Sequence, residues 1–466
     1  MDEAAGTVGV VGGARRFSHW HSRFEGMGPF ALIWSGHTVT LVGTAILRFA
    51  FVIRVWISGG QATQVVLLSL SAMLPRMLLA PTAGALVDRL DRRVALQLAD
   101  LGGFVAIGGL TAIYLAGDLQ LWHIYLAVAL AGCAEAFQHP ALLSTVPRLV
   151  RREQLQRANG LLATAKSTAD IGGPALGGLL VAVSGLGPIL WLDLASFLVA
   201  LATIRLARIP DTPVPDGGGA AGGAGGGAKP RRRLSADSVE GLRYLFARPS
   251  LRGLVIVFFT VNLTAVFGFA VMQPMILART GDDATALAGV NVAIGVGGIV
   301  GGALVVAWGG PRNRVRGMML GVIGMSIAAQ VVMASVRTVP AWAVAVLVGA
   351  ALIPIINSSM QSIVQTKVPE QLQGRVFGAV LFVSQIAAPV AMACSGPLAD
   401  HVFEPQAKAG RGVAGLLAPL LGDGPGSGLA AMLLLAGVLS AVAALAGLAS
   451  RSVRNIDTLI PDADGR

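Results

Sequence analysis

The sequence predicts an all-α membrane protein: twelve transmembrane helices in two pseudo-symmetric six-helix bundles, with both termini in the cytoplasm. Three observations lead there. First, 54% of the 466 residues are hydrophobic and only 13% are charged, whereas a soluble domain carries roughly 25% charged residues. Such a chain has too little polar surface to cover itself in water. Second, it divides into apolar runs close to the roughly 20 residues that a spanning helix needs. Third, it repeats itself. Gly302-Ala303-Leu304-Val305 copies Gly84-Ala85-Leu86-Val87, and Glu370-Gln371-Leu372-Gln373 copies Glu153-Gln154-Leu155-Gln156 at nearly the same spacing. A duplicated helix bundle with a binding site between its copies is a common construction for a secondary transporter.

In chain order, residues 1–27 form a polar cytoplasmic segment. The first bundle, 28–207, holds spans at 28–57, 62–86, 94–116, 122–145, 160–184 and 188–207. Residues 208–250 are a Gly- and Arg-rich cytoplasmic linker whose Gly217–Gly219 and Gly222–Gly227 stretches make a flexible tether. The second bundle, 251–449, holds spans at 251–278, 285–308, 317–336, 341–366, 376–398 and 429–449, and residues 450–466 form a cytoplasmic tail. The loops set the orientation. One side carries Arg15, Arg16 and Arg23, then Arg89, Arg92 and Arg93, then Arg148, Arg151, Arg152 and Arg157. The same side continues through Arg231–Arg233, Arg312, Arg314 and Arg316, Lys367 and Arg375, and Arg451 and Arg454. The opposite loops hold only Arg279, Arg337, Lys408 and Arg411. Cationic loops stay in the cytoplasm, which places the protein in the cell membrane with the Arg-rich end inward.

Several function classes fall away. The net charge of +11 sits in short inter-helix loops rather than on one face, so nucleic acid is not an expected partner. Cys133 and Cys394 stand alone within apolar runs, giving neither a disulfide framework nor a metal-ligand spacing. Lys229 borders a glycine run, but a phosphate loop needs Gly-Lys-Ser/Thr and here Lys229 lies between Ala228 and Pro230. The chain has no His-Glu-x-x-His and no Gly-x-Ser-x-Gly, so no catalytic residues are assigned and an enzyme is not expected. No cleavable signal peptide is visible, because the first apolar run is too long for one.

Two local patterns carry mechanism. Gly84, Asp88, Arg89, Arg92 and Arg93 make a short charged turn between the second and third spans. Gly84 lets two helices approach, and Asp88 can accept hydrogen bonds or face the positive end of a neighbouring helix. The turn resembles the corresponding loop of the major facilitator superfamily, with Asp91 in place of a glycine, and Asp tolerates turn geometry. The resemblance implies a conformational latch at the cytoplasmic ends of the two halves. In the fifth span, Gly173, Pro174, Gly177 and Gly178, with Gly160 upstream and Ala169 replacing an intervening glycine, resemble that superfamily's antiporter motif. Small residues permit close helix packing, and proline removes a backbone donor. This second resemblance implies export rather than uptake. Gly43–Ala50, Arg157-Ala158-Asn159-Gly160 and Glu240–Tyr244 further resemble the branch that exports macrolides, other drugs and enterobactin.

An ionisable group at mid-membrane costs about 2.5–3.5 kcal/mol on insertion scales, so it usually has a task. Arg48, Arg76, Asp100, Glu135, Lys166, Asp170 and Asp193 fall inside the first six spans, and the interiors of the last six are expected to hold none. Asp170, four residues from Lys166 on one helix face, leads as the proton-coupling group. Glu135 and Asp193 follow, with Arg48 as a partner cation, while Arg76 and Asp100 read as structural. The fourth span lacks the arginine that many proton antiporters of the superfamily carry there. His37 and His139 read as packing residues. In the second half, Asn262, Gln273, Asn291, Asn357, Gln361 and Gln385 offer neutral polar groups to a substrate cavity.

The expected protein is a monomeric exporter of amphiphilic small molecules in the lipid bilayer. It would work by proton antiport with alternating access, using the proton gradient and no cofactor or metal. A proton-symport uptake permease and a lipid-translocating relative of the same fold are the alternatives.

Overall fold

The computed structural model describes residues 27–87, 89–207, 243, 246–368 and 370–454. Among these residues every regular element is helical, as the bilayer requires of a chain that must satisfy its backbone polar groups within each segment. The first half comprises α1 (Gly28–Gly59), α2 (Ala62–Val87), α3 (Arg92–Ala116), α4 (Leu121–Leu149), α5 (Leu155–Ser184) and α6 (Leu186–Leu206). The second comprises α7 (Pro249–Ala270), α8 (Met272–Thr280), α9 (Ala284–Trp308), α10 (Arg314–Ser326), α11 (Val339–Lys367), α12 (Glu370–Leu398) and α13 (Ser427–Ala449).

Eleven segments among the described residues are long and apolar enough to cross a membrane. The expected fifth span, 160–184, lies within α5 but is not one of them. Lys166, Asp170, Pro174 and five glycines hold its hydropathy down, because that helix spends its small residues on helix contacts. The span expected at 251–278 is broken at Val271 into α7 and α8. The span that starts at Arg314 runs on through a π-helical turn, Ile327–Val332, to Ser335. The span expected to end at 398 also continues, through a second π turn at Ala399–Phe403, to Lys408. Asp400, His401 and Glu404 therefore lie within it, against the expectation that the last six spans hold no ionisable residue.

Local chemistry sets the helix ends. Asp91 caps α3, its Oδ1 accepting from the Arg93 and Val94 amides at 2.8 and 3.3 Å, which gives the aspartate at the expected glycine position a task of its own. Asp283 and Asn313 cap α9 and α10 in the same way. Gly60, Gly117, Gly281 and Gly309 close helices with positive φ.

Small residues set the helix spacings. A Cβ on Gly173 would stand 2.4 Å from the Ala45 Cβ of α1, and one on Gly177 3.1 Å from the Phe49 side chain. The same helix turns Gly178 toward Ala288 of α9, in the other half, where a Cβ would stand 2.6 Å from the Ala288 Cβ. Through Gly178 the Gly-Pro segment of α5 is one of the places where the two halves meet.

The apolar core is distributed unevenly along the membrane axis. At the Arg-poor end one continuous core joins the halves, running from Phe51, Trp56 and Leu190 of the first through Met275, Leu287 and Leu429 of the second. At the Arg-rich end there are two separate cores. Phe30, Val87, Leu149 and Ile204 form that of the first half, and Leu251, Val315, Met360 and Ile363 that of the second.

Candidate transport site

Three of the ionisable residues in the spans of the first half, Arg48, Arg76 and Glu135, meet in one cluster. Arg48 of α1 lies one turn after Thr44 and on the same helix face, and its guanidinium pairs with the carboxylate of Glu135 on α4. Arg76 of α2 approaches the other Glu135 oxygen at 3.6 Å. Arg76 therefore shares Glu135 with Arg48, although its position toward the helix end suggested a structural role. Two arginines from neighbouring helices hold a glutamate on α4, whose one arginine, Arg148, lies in its last turn.

Asp193 of α6 is wholly buried. Thr44 Oγ1 donates to its Oδ1 at 3.1 Å, and Ser196 Oγ lies 3.3 Å from the same oxygen while donating to the Asp193 carbonyl at 2.7 Å. The other carboxylate oxygen, Oδ2, is buried and accepts no hydrogen bond among the described residues. Thr44, which donates to this carboxyl group, stands one turn before Arg48 on α1, so Asp193 adjoins the Arg48–Glu135 pair. Gly43 makes the pocket: a Cβ there would stand 2.7 Å from Ser196 Oγ and 3.1 Å from Asp193 Oδ1. Thr44 and Ser196 were not singled out from the sequence. Their only signal is spacing, four residues from Arg48 and three from Asp193.

Lys166 and Asp170 do pair, at 2.9 Å, but the pair is not buried. Their side chains are 74% and 55% exposed, so the residue that leads on sequence grounds faces open space. Exposed polar side chains in the middle of a spanning helix do not face lipid. Asn357 and Gln361, one turn apart on α11, and Gln385 on α12 are exposed as well. Asn262 and Asn291 are half-buried and return their amide groups to the carbonyls of Phe258 and Leu287, at 2.8 and 2.9 Å. Gln273 is half-buried on α8. Asp100 stands apart from the Glu135 cluster, buried, and accepts from Gln138 Nε2 at 2.7 Å.

The sequence from residue 29 to residue 392 matches the family model described as the Major Facilitator Superfamily, which covers more than half of the chain. The chain belongs to the Major Facilitator Superfamily. It is a multi-pass integral protein of the cell membrane, similar to macrolide efflux protein A of Streptococcus pyogenes, with 24% identity over 83% of this chain and 92% of that protein. It is also similar to the multidrug efflux pump Tap of Mycolicibacterium fortuitum, with 26% identity over 80% of this chain and 90% of that one. Among solved structures it resembles a bacterial homolog of the human lysosomal transporter Spinster, captured inward-facing and unoccupied. That likeness has a TM-score of 0.64 at 16% identity and covers 92% of this chain and 98% of that one, and it speaks for the fold alone.

Two signatures of this superfamily member can now be placed. In the charged turn after α2, Arg89 is exposed and Asp88 lies outside the described residues. Arg92 Nη1 donates to the carbonyl of Val87, and Arg93 Nη2 to that of Arg205 at the end of α6. Both arginines thus meet the negative ends of helices in their own half. In the Gly-Pro helix, Gly173, Gly177 and Gly178 make the contacts described above, Pro174 is half-buried, and Gly160 is exposed with no atom near its Cα face.

Proposed function

We propose that this superfamily member is a secondary active exporter of amphiphilic small molecules, driven by proton antiport through alternating access. The observation that carries this reading is the uneven core, single at the Arg-poor end and double at the Arg-rich end. Two bodies joined at one end and separate at the other form a vestibule that opens toward the separate end. The positive-inside rule turns that end to the cytoplasm, so the vestibule is in the state that loads cargo for export. A twelve-span chain with both termini in the cytoplasm fits this orientation, α5 supplying the span that apolarity alone does not single out. The names of the efflux relatives support the direction and the cargo class.

Lys166, Asp170, Asn357 and Gln361 line the vestibule, an arrangement suited to cargo with both apolar and polar groups. Coupling falls to the Arg48–Glu135–Asp193 cluster. A carboxyl group whose charge decides how α1 and α6 pack links protonation to helix position. The protein works as a monomer and takes its energy from the proton gradient, without a cofactor.

The test is dye and antibiotic accumulation in an efflux-deficient bacterial host, with and without a proton uncoupler. Expression should lower accumulation, and the uncoupler should restore it. Raised accumulation would identify an uptake permease instead, and lowered accumulation indifferent to the uncoupler would end the proton-antiport reading.

A further inference from the structure

Among the described residues, the side-chain partners of the first amides of α2 come from outside its own segment. Gly60 and Gln61 precede it, and the first amides of a helix have no partner within it. The partner comes from the other half of the molecule. Asp400, in the π turn that follows α12, turns its carboxylate onto this first turn: Oδ1 accepts from the Ala62 amide at 2.9 Å and Oδ2 from the Thr63 amide at 2.8 Å. Two charge-assisted bonds at the positive end of a helix dipole are among the stronger polar contacts a protein makes. The approach is tight, since a Cβ on Gly396, one turn before Asp400, would stand 2.6 Å from the Thr63 Cα.

A second polar bond crosses between the halves nearby. Trp56 Nε1 of α1 donates to Asp282 Oδ1 at 2.7 Å. Asp282 is the one non-glycine residue with positive φ, 69°, among the described residues. All three bonds lie at the Arg-poor end, where the halves share one core.

We propose that Asp400 is a positioning residue that holds the Arg-poor face shut by capping α2 from the opposite half, and that this cap must release before the face can open. The inference rests on the alternating-access reading. It adds the contact that closes one state. On opening, the Ala62 and Thr63 amides and the Asp400 carboxylate pass to water, so the latch favours the closed face without making it permanent. Neither partner belongs to the Arg48–Glu135–Asp193 cluster, so weakening the latch shifts the balance of states and leaves the coupling groups in place.

The experiment uses full-length protein in intact cells, with Cys133 and Cys394 replaced by alanine and a reporter cysteine introduced as Ile171→Cys. Ile171 sits on α5 against Gly295 of α9, between the halves. A membrane-impermeant maleimide added outside reaches it only when the Arg-poor face opens. Labelling is normalised to the total reactive after denaturation. Asp400→Ala should raise the labelling by about tenfold, the change expected for a rarely populated open state when the closed one loses about 1.4 kcal/mol of its advantage. Asp400→Asn, which keeps one good acceptor, should give an intermediate rise.

Ala62→Pro removes one donor at a helix position where proline is at home, leaves the carboxylate untouched, and should also raise labelling. A merely structural Asp400 would not produce this graded order across both partners. Labelling equal to the parent in Asp400→Ala and Ala62→Pro would overturn the latch. If Asp400→Ala fails to accumulate, Asp400→Asn and Ala62→Pro decide the matter by the same criterion. A rise in labelling in a protein whose parent shows no uncoupler-sensitive export would uphold the latch and end the export reading.

Discussion

Asp170 and Asp193 sit on consecutive helices of one bundle, and their surroundings are opposite. Asp170 has a lysine four residues away and most of its side chain in the open. Among the described residues Asp193 has no cation bonded to it; it has two hydroxyl groups on one oxygen and no exposure at all. An exposed ion pair contributes about 0–1 kcal/mol, because water already solvates both members. A buried carboxyl group has no such reserve, and its charge must be met by the protein alone. The difference teaches that proximity to an opposite charge does not identify a coupling group. What matters is how much the surroundings change when the group gains or loses a proton.

That contrast can be broken by substitution. Asp193→Asn keeps the shape of the pocket and removes its titratable group. Uncoupler-sensitive dye export should fall at least about tenfold, equivalent to about 1.4 kcal/mol in the transport step, while the protein still reaches the membrane. Unchanged export would remove Asp193 from the coupling mechanism and leave Glu135 as the candidate.

A somewhat smaller effect is expected from Gly43→Ala. The new Cβ meets Ser196 and Asp193 at contact distances too short to keep, and overpacking of this kind costs about 1–3 kcal/mol. Thermal unfolding of the purified protein in detergent should show a lowered midpoint, with export reduced in parallel. A midpoint and export rate equal to the parent would mean that the pocket is looser than its geometry indicates.

Asp170→Asn should change export by no more than about twofold and stability by less than about 1 kcal/mol. A loss of uncoupler sensitivity in this variant, with Asp193→Asn silent, would invert the comparison. The remaining effect lies outside the membrane and leaves export untouched. The Thr285 hydroxyl donates to Asp283 and, with the Ala286 and Thr285 amides, holds its carboxyl group below the ordinary carboxylate range. A folded-state value below the unfolded one means that the cap stabilises α9 above about pH 4 and that this contribution is lost as pH falls through the folded value. Asp283→Ala should cost about 1 kcal/mol at neutral pH and nothing at the lowest pH the protein survives. An equal cost at both, read from unfolding midpoints, would show that the charge has no part in the cap.

Much of the fold was legible because spanning helices announce themselves by length and apolarity. The second and eighth expected spans, 62–86 and 285–308, differ from α2 and α9 by one residue at one end. The extension of the α12 span to Lys408 was not legible. Asp400 looks like the end of a membrane segment until α2 is seen to supply its hydrogen-bond donors. The candidate site was legible as a set of residues and not as an arrangement. Spacing within one helix paired Lys166 with Asp170, but the meeting of Arg48, Arg76 and Glu135 depends on how α1, α2 and α4 cross. The burial that separates Asp193 from Asp170 depends on which helix face turns inward. A single sequence carries neither.

The Asp400 contact also bears on how such a protein can change over generations. Its receptor is main chain, so the two donors survive exchange of the Thr63 side chain, proline excepted, while Ala62 is held small by its burial in the shared core. The side chain that makes the bonds, and the glycine that lets it approach, both belong to the second half. Such one-sided dependence leaves the first half free to drift in sequence, as a duplicated bundle must if its copies are to acquire different tasks while the two still close on each other.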